Sequence, residues 1–181
     1  MVAEHIYKQY DTDLEAIRAK VLEMGGIVEE QLADCVSSLI NADGKLADSV
    51  IKKDLRVNAL ESEIDEDCSL IIAKRSPAAR DLRNLLMMLK IITDLERIGD
   101  EASKIAKATH RIYDENRMIK PRTKEIQSIF ETLRFMLRTA LNSFARLDVT
   151  ETIDVLEKDQ EVDDEYRAFM RQLLTYMLED P

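Results

Sequence analysis

Two carboxylates four residues apart, Glu96 and Asp100, stand in the run Asp94-Leu95-Glu96-Arg97-Ile98-Gly99-Asp100. On a helix that spacing points both side chains the same way. Leu95, Ile98, Ala102, Ile105 and Thr109 trace one stripe, which places the acidic pair on its flank. A second line, Asp54, Asn58, Glu61 and Asp65, runs beside the stripe of Val57, Leu60, Ile64 and Ile71, and a third acidic pair is Asp159 with Asp163. If the first two lines belong to neighbouring helices, their carboxylates converge, and mutual repulsion then favours a cation between them. Oxygen donors suit a hard ion: iron, manganese or magnesium, with zinc as a further candidate. The competing reading is a solvated face, since a chain rich in charge produces acidic pairs at this spacing by chance.

Other chemistry finds little footing. His5 and His110 are the only histidines, and neither follows a glutamate at Glu-x-x-His spacing, so a ferritin-like di-iron arrangement lacks its imidazoles. The chain has no G-x-S-x-G turn and no phosphate-cradling G-x-x-x-x-G-K-[ST] loop, and it reads as a non-enzyme. Cys35 and Cys68 each fall on an apolar helix face without zinc-site spacing, as buried thiols do. Met24, Met87 and Met88 read as core fillers. Arg80, Arg83 and Arg97 read as surface ion-pair partners, because no glycine-rich anion cradle accompanies them.

These residues need long helices to position them. With 45% hydrophobic and 34% charged residues but only 4 Gly and 3 Pro in 181, the composition is that of an all-α protein. A formal charge of −10 argues against nucleic acid as a partner. No apolar run is long enough to span a bilayer and no secretion signal opens the chain, so a cytosolic protein with at most peripheral membrane contact is expected. Turn signals at Asn41 to Gly44, Arg75 to Pro77, Asn116 to Pro121 and Leu147-Asp148 divide the chain into five helices. Ser76 is expected to cap the third helix with Pro77 at its first position, and the helix should run towards Tyr113. Gly25-Gly26 should bend the first helix locally at most, because Ile17, Val21, Met24, Val28, Leu32, Cys35, Val36 and Leu39 keep their periodicity through it.

The chain also repeats itself. Asp43, Val50, Lys53, Asp54 and Val57 recur at a constant offset as Asp148, Val155, Lys158, Asp159 and Val162. Met24, Val28, Leu32, Val36 and Leu39 are matched in the same way by Ile129, Leu133, Leu137, Leu141 and Phe144. Helix 4 thus copies helix 1 and helix 5 copies helix 2. A copy of helix 3 would begin close to Pro181, so the second repeat is expected to lack it. Apolar residues on helices 4 and 5, including Leu137, Leu141, Phe144, Leu156 and Phe169, then need a cover, and a homodimer is the expected one.

The run around Glu96 and Asp100 resembles the signature of the PhoU family, together with Ser76-Pro77-Ala78-Ala79-Arg80-Asp81-Leu82-Arg83 upstream and Glu101-Ala102-Ser103-Lys104-Ile105-Ala106 downstream. The resemblance implies tandem three-helix bundles: a first repeat over residues 1–117 and an incomplete second over 118–181. It implies multinuclear iron or other metal clusters held by E/D-x-x-x-D pairs, a pattern matched by Glu61 with Asp65, Glu96 with Asp100, and Asp159 with Asp163. The second repeat departs from it elsewhere, since Tyr166 and Met170 stand where Glu61 and Asp65 would recur. It further implies a regulator that links the phosphate ABC transporter's ATPase to a sensor histidine kinase and represses the phosphate-starvation response when phosphate is ample. The rival from another class is a metal-dependent phosphatase or metal-storage bundle built on the same carboxylates.

Overall fold

Every described segment is helical or a connection between helices. The computed structural model describes residues 2–113 and 124–179, in the order α1 (Val2–Asn41), α2 (Gly44–Arg75), α3 (Ala79–Ile112), α4 (Lys124–Arg146) and α5 (Thr152–Glu179). The repeat boundary expected after residue 117 and the turn at Asn116 to Pro121 lie outside the described residues.

α1, α2 and α3 pack mutually as a three-helix bundle. The stripe read on α1 is buried from Ile17 to Leu39, as are Val57, Leu60, Ile64 and Ile71 of α2. On α3, Leu95, Ala102 and Thr109 are buried, whereas Ile98 and Ile105 are half-buried. Met24 and Met88 fill the core, but Met87 does not: it is exposed on the outer face of α3. Cys35 and Cys68 are free, buried thiols, and burial pushes them up to about 12 and about 11, so both are protonated and inert at neutral pH.

The turn between α1 and α2 behaves as its sequence suggests, with the Asp43 carboxylate accepting from the Leu46 N–H at 3.0 Å as an N-cap. The next turn does not. Ser76 closes α2 instead of opening α3: it is left-handed (φ 43°) and its N–H donates to the Ile72 carbonyl at 3.2 Å. Pro77 follows it as prolines follow C-caps, and α3 starts at Ala79 behind Ala78, which offers no side-chain cap. The far end of α3 stops at Ile112, and the Tyr113 hydroxyl donates to the Leu39 carbonyl at 2.6 Å.

The second pair of helices is seated on α1 through α4. Leu137, Leu141 and Phe144, expected to lack a cover, pack against the core around α1. α1 runs through Gly25-Gly26 as continuous helix, and the two glycines differ in purpose. A Cβ on Gly25 would lie 2.4 Å from Leu141 Cδ2, whereas one on Gly26 would meet nothing. Replacing Gly26 by alanine should therefore raise stability by about 1 kcal/mol through helix propensity alone. Gly25→Ala should give no such gain, because Leu141 must move to admit the methyl; urea denaturation of the two variants checks the difference. Arg18 reinforces the seat, donating to the Phe144 carbonyl at 3.0 Å and to that of Ala145, with its guanidinium 5.7 Å from the Phe144 ring centroid. It satisfies carbonyls that the end of α4 leaves open. Glu29 of α1 pairs with Arg138 of α4 at 2.8 Å.

α5 packs on α4 alone among the described helices. Phe169 is half-buried there, but Leu156, Leu174, Met177 and Leu178 remain 57–83% exposed. None of these helices is long and apolar enough to cross a membrane.

Candidate functional site

The acidic lines of α2 and α3 do face one another. The Glu96 carboxyl is raised above the usual carboxylate range, first by partial burial and then by the negative charges of Asp100, Glu61 and Asp54, with Lys104 opposing weakly. Carboxylates from both helices therefore lie close enough to repel. Glu61, Glu96 and Asp100 are half-buried at the helix boundary, and Asp54 is buried behind them. Asp100 has one distant cation, Lys104 at 3.9 Å, while Asp54, Glu61 and Glu96 make no ion pair among the described residues.

Beneath this face lies a polar layer that splits the core. One apolar cluster runs from Tyr10 to Val28 on α1 with Val57 to Ile71 and Leu85 to Leu95; the other joins Leu32, Cys35 and Val36 to Ala47, Val50, Ala102 and Ala106. Between them sit Gln31, Asp54 and Gly99. Gln31 is fully buried, its Nε2 donating to the Val50 carbonyl at 3.2 Å and reaching Asp54 Oδ1 at 3.5 Å. Its Oε1 has no hydrogen-bond partner, nor do Ser103 Oγ and Asn58 Oδ1. Gly99 has no left-handed backbone to explain it. Its reason is proximity: a Cβ there would stand 3.1 Å from Gln31 Oε1 and 3.5 Å from both Asp54 Oδ1 and Val57 Cγ1. A mid-helix glycine costs about 1 kcal/mol against alanine. Here it lets α3 settle against α1 and α2, which carries Glu96 and Asp100 up to Glu61.

The remaining sequence candidates are not brought in. Asp65 is exposed on α2. Asp159 and Asp163 are exposed on α5, with Asp163 paired to Arg167 at 3.0 Å. Among the described residues no three carboxylate, thiol or imidazole groups stand close enough to share one ion. The face near Glu96 thus has the donor chemistry of a hard-cation site and uncompensated negative charge, without a closed coordination shell. Cation binding there requires side-chain rotation or added water ligands.

A match to the PhoU domain covers residues 21–109 and 126–181. The chain is 43% identical over 181 residues to the phosphate-specific transport system accessory protein PhoU homolog of Pseudomonas putida, spanning 99% of this chain and 70% of that protein. It is 42% identical over 177 residues to the Escherichia coli protein named phosphate-specific transport system accessory protein PhoU, covering 98% of this chain and 73% of that one. This chain belongs to the PhoU family. The crystal structure of PhoU from Pseudomonas aeruginosa superposes with a TM-score of 0.90 at 43% identity, over 95% of this chain and 82% of that one. The phosphate transport system regulatory protein PhoU from Streptococcus pneumoniae does so with a TM-score of 0.84 at 26% identity, over 94% of this chain and 80% of that one. The PhoU tandem helical fold read from the repeat and the resemblance is thereby established.

Within this PhoU chain the sequence reading passed over Gln31 and Ser103. The signal was available: Gln31 stands between Val28 and Leu32 on the buried stripe of α1, where a polar residue breaks the apolar pattern. The acidic face also predicts its own pH response. A carboxyl whose folded pKa is raised favours the folded state below the ordinary glutamate range, and that contribution is lost as pH rises through the folded value. Glu96→Gln should therefore raise stability near pH 7 in chelator by a few tenths to about 1 kcal/mol. The gain should vanish by pH 4, as thermal melts across that window would record.

Proposed function

We propose that this chain is an accessory regulator of phosphate uptake that acts by protein contact, not by turnover. The observation that carries the reading is identity above 40%, across nearly the whole chain, to proteins named as phosphate-specific transport system accessory proteins. In this reading the chain is a peripheral protein that contacts the phosphate ABC transporter's ATPase and a sensor histidine kinase, and it represses the phosphate-starvation response when phosphate is ample. Long charged helix faces suit such contacts better than a deep pocket does. The apolar residues left exposed on α5 favour a homodimer as their cover, which light scattering across a concentration series would detect.

The carboxylate face supplies the second part of the proposal: Glu61, Glu96 and Asp100 hold a hard cation such as iron or manganese, which neutralises the charge gathered between α2 and α3. The regulatory role is tested by deleting the gene. Phosphate-responsive genes should then be expressed in phosphate-rich medium, and repression should return when this protein is restored. Normal repression in the deletion strain would sink the role, whatever the protein's metal content.

A further inference from the structure

We propose that the outward face of the C-terminal half of α5 is the contact surface for a second copy of this chain, which it meets on the outward face of that copy's α2. This deepens the homodimer reading above by naming the two surfaces that touch. The internal repeat places the residues, since the two PhoU matches start at residues 21 and 126, the same offset that relates α2 to α5. Met170, Arg171, Leu174 and Leu178 of α5 then correspond to Asp65, Glu66, Ser69 and Ala73 of α2. All four α2 residues are exposed, although α1 and α3 both pack on that helix. A third helix seated on α5 as α3 sits on α2 would therefore leave these α5 positions open as well. Yet Met170, Leu174 and Leu178 are large and apolar, with Leu174 57% and Leu178 83% exposed. An apolar stripe that its own bundle does not cover marks contact with another molecule.

Charge and size together identify the occupant. From Tyr166 to Leu178 the only charged residues are Arg167 and Arg171, in a chain whose net charge is −10. Arg167 is paired with Asp163 and Asp164, whereas Arg171 makes no ion pair among the described residues. The matching stretch of α2, from Glu61 to Ala73, carries five acids and no base. Lys20 and Arg56 hold Glu63 and Asp67 within it, while Asp65 and Glu66 are exposed and make no ion pair among the described residues. The two faces therefore attract, and Arg171 finds its counter-charge at the acidic pair of the second copy. They also differ in size. Ala59, Ser62, Ser69 and Ala73 keep the outward face of α2 low between the exposed Leu55 and Leu70, and side chains as large as Met170, Leu174 and Leu178 pack into such a groove. An anionic membrane suits the stripe less well, because the preceding stretch of α5, from Glu157 to Glu165, carries six acids against one lysine. Contact between unlike faces closes into a dimer when each copy offers both, and otherwise adds copies head to tail.

The test is self-association of the full chain, followed by light scattering and sedimentation velocity across a concentration series. Arg171→Glu, and separately the acidic pair reversed by Asp65→Lys with Glu66→Lys, should each weaken association about tenfold or more by setting like charges against each other. All three substitutions in one chain should restore it. Leu174→Ser should weaken it too, and every variant should keep the circular dichroism of wild type, because each altered side chain is exposed. If wild type associates but neither charge reversal changes its affinity, or if the combined variant fails to recover, the homodimer stands on other faces and the α2 to α5 contact is overturned. A wild type that stays monomeric throughout the series defeats the homodimer reading and this contact together. Capture of wild type by phosphatidylglycerol vesicles, lost in Arg171→Glu, would assign the stripe to a membrane and overturn the contact as well.

Discussion

Replacing Ile92 by alanine should lower the free energy of unfolding by about 2–5 kcal/mol, a large fraction of what holds most single domains together. Ile92 is 1% exposed and belongs to the apolar cluster built by all three helices of the first bundle, with Met24, Leu60 and Ile64 among its members. Removing three carbons there leaves a cavity that interlocked helices cannot collapse around without losing contacts elsewhere. Leu86, six residues earlier on the same helix, is 47% exposed, and its replacement by alanine should change stability by no more than about 0.5 kcal/mol. Urea denaturation of the two variants makes the comparison. Equal effects would mean that the buried stripe of α3 had been misread, and the platform carrying Glu96, one turn beyond Ile92, with it.

What could be read in advance was whatever repeats with the helical period. The stripes on α1, α2 and α3 were legible because burial of one face imposes that period directly. Ser76-Pro77 misled because proline suits both the first turn of a helix and the position after a C-cap, and the sequence alone does not choose between them. The structure ends α2 with Ser76 in the left-handed region, so the same dipeptide closes one helix before the next begins. Gly25 was read as a tolerated break when it is the seat of Leu141, a contact across more than a hundred residues that no local pattern encodes. The cover found for Leu137, Leu141 and Phe144 follows from that same contact.

The carboxylates divide for a geometric reason. From Asp54 to Asp65 the α2 line rises about 16 Å, whereas Glu96 and Asp100 span about 6 Å of α3. Only part of the longer line can lie opposite the shorter one. Asp54 and Glu61 are the α2 carboxylates whose charge raises Glu96, and Asp65, at the far end of the line, is exposed. Gln31 escaped notice because periodicity counts apolar residues, and a polar residue inside the stripe registers as a gap. Its role depends on which atoms of α2 and α3 come against it, and packing alone decides that.

The sharpest consequence concerns the acidic pair itself. Replacing Glu96 and Asp100 together by alanine should abolish the rise in melting temperature that Mn²⁺ or Fe³⁺ produces in wild type. At a free cation concentration a hundred times Kd, that rise corresponds to about 2.7 kcal/mol of stabilisation through binding to the folded state alone. The double variant should keep its helical circular dichroism, because alanine is the strongest helix former. In chelator it should match or slightly exceed wild type in stability, since removing the pair relieves the repulsion that raises the Glu96 carboxyl. Replacing Asp159 and Asp163 is the control: both are exposed on α5, and Asp163 has Arg167 for a partner. That variant should respond to the cation as wild type does. If all three proteins melt alike with and without the cation, Glu96 and Asp100 are a solvated face, and the charge gathered between α2 and α3 serves something other than a metal ion.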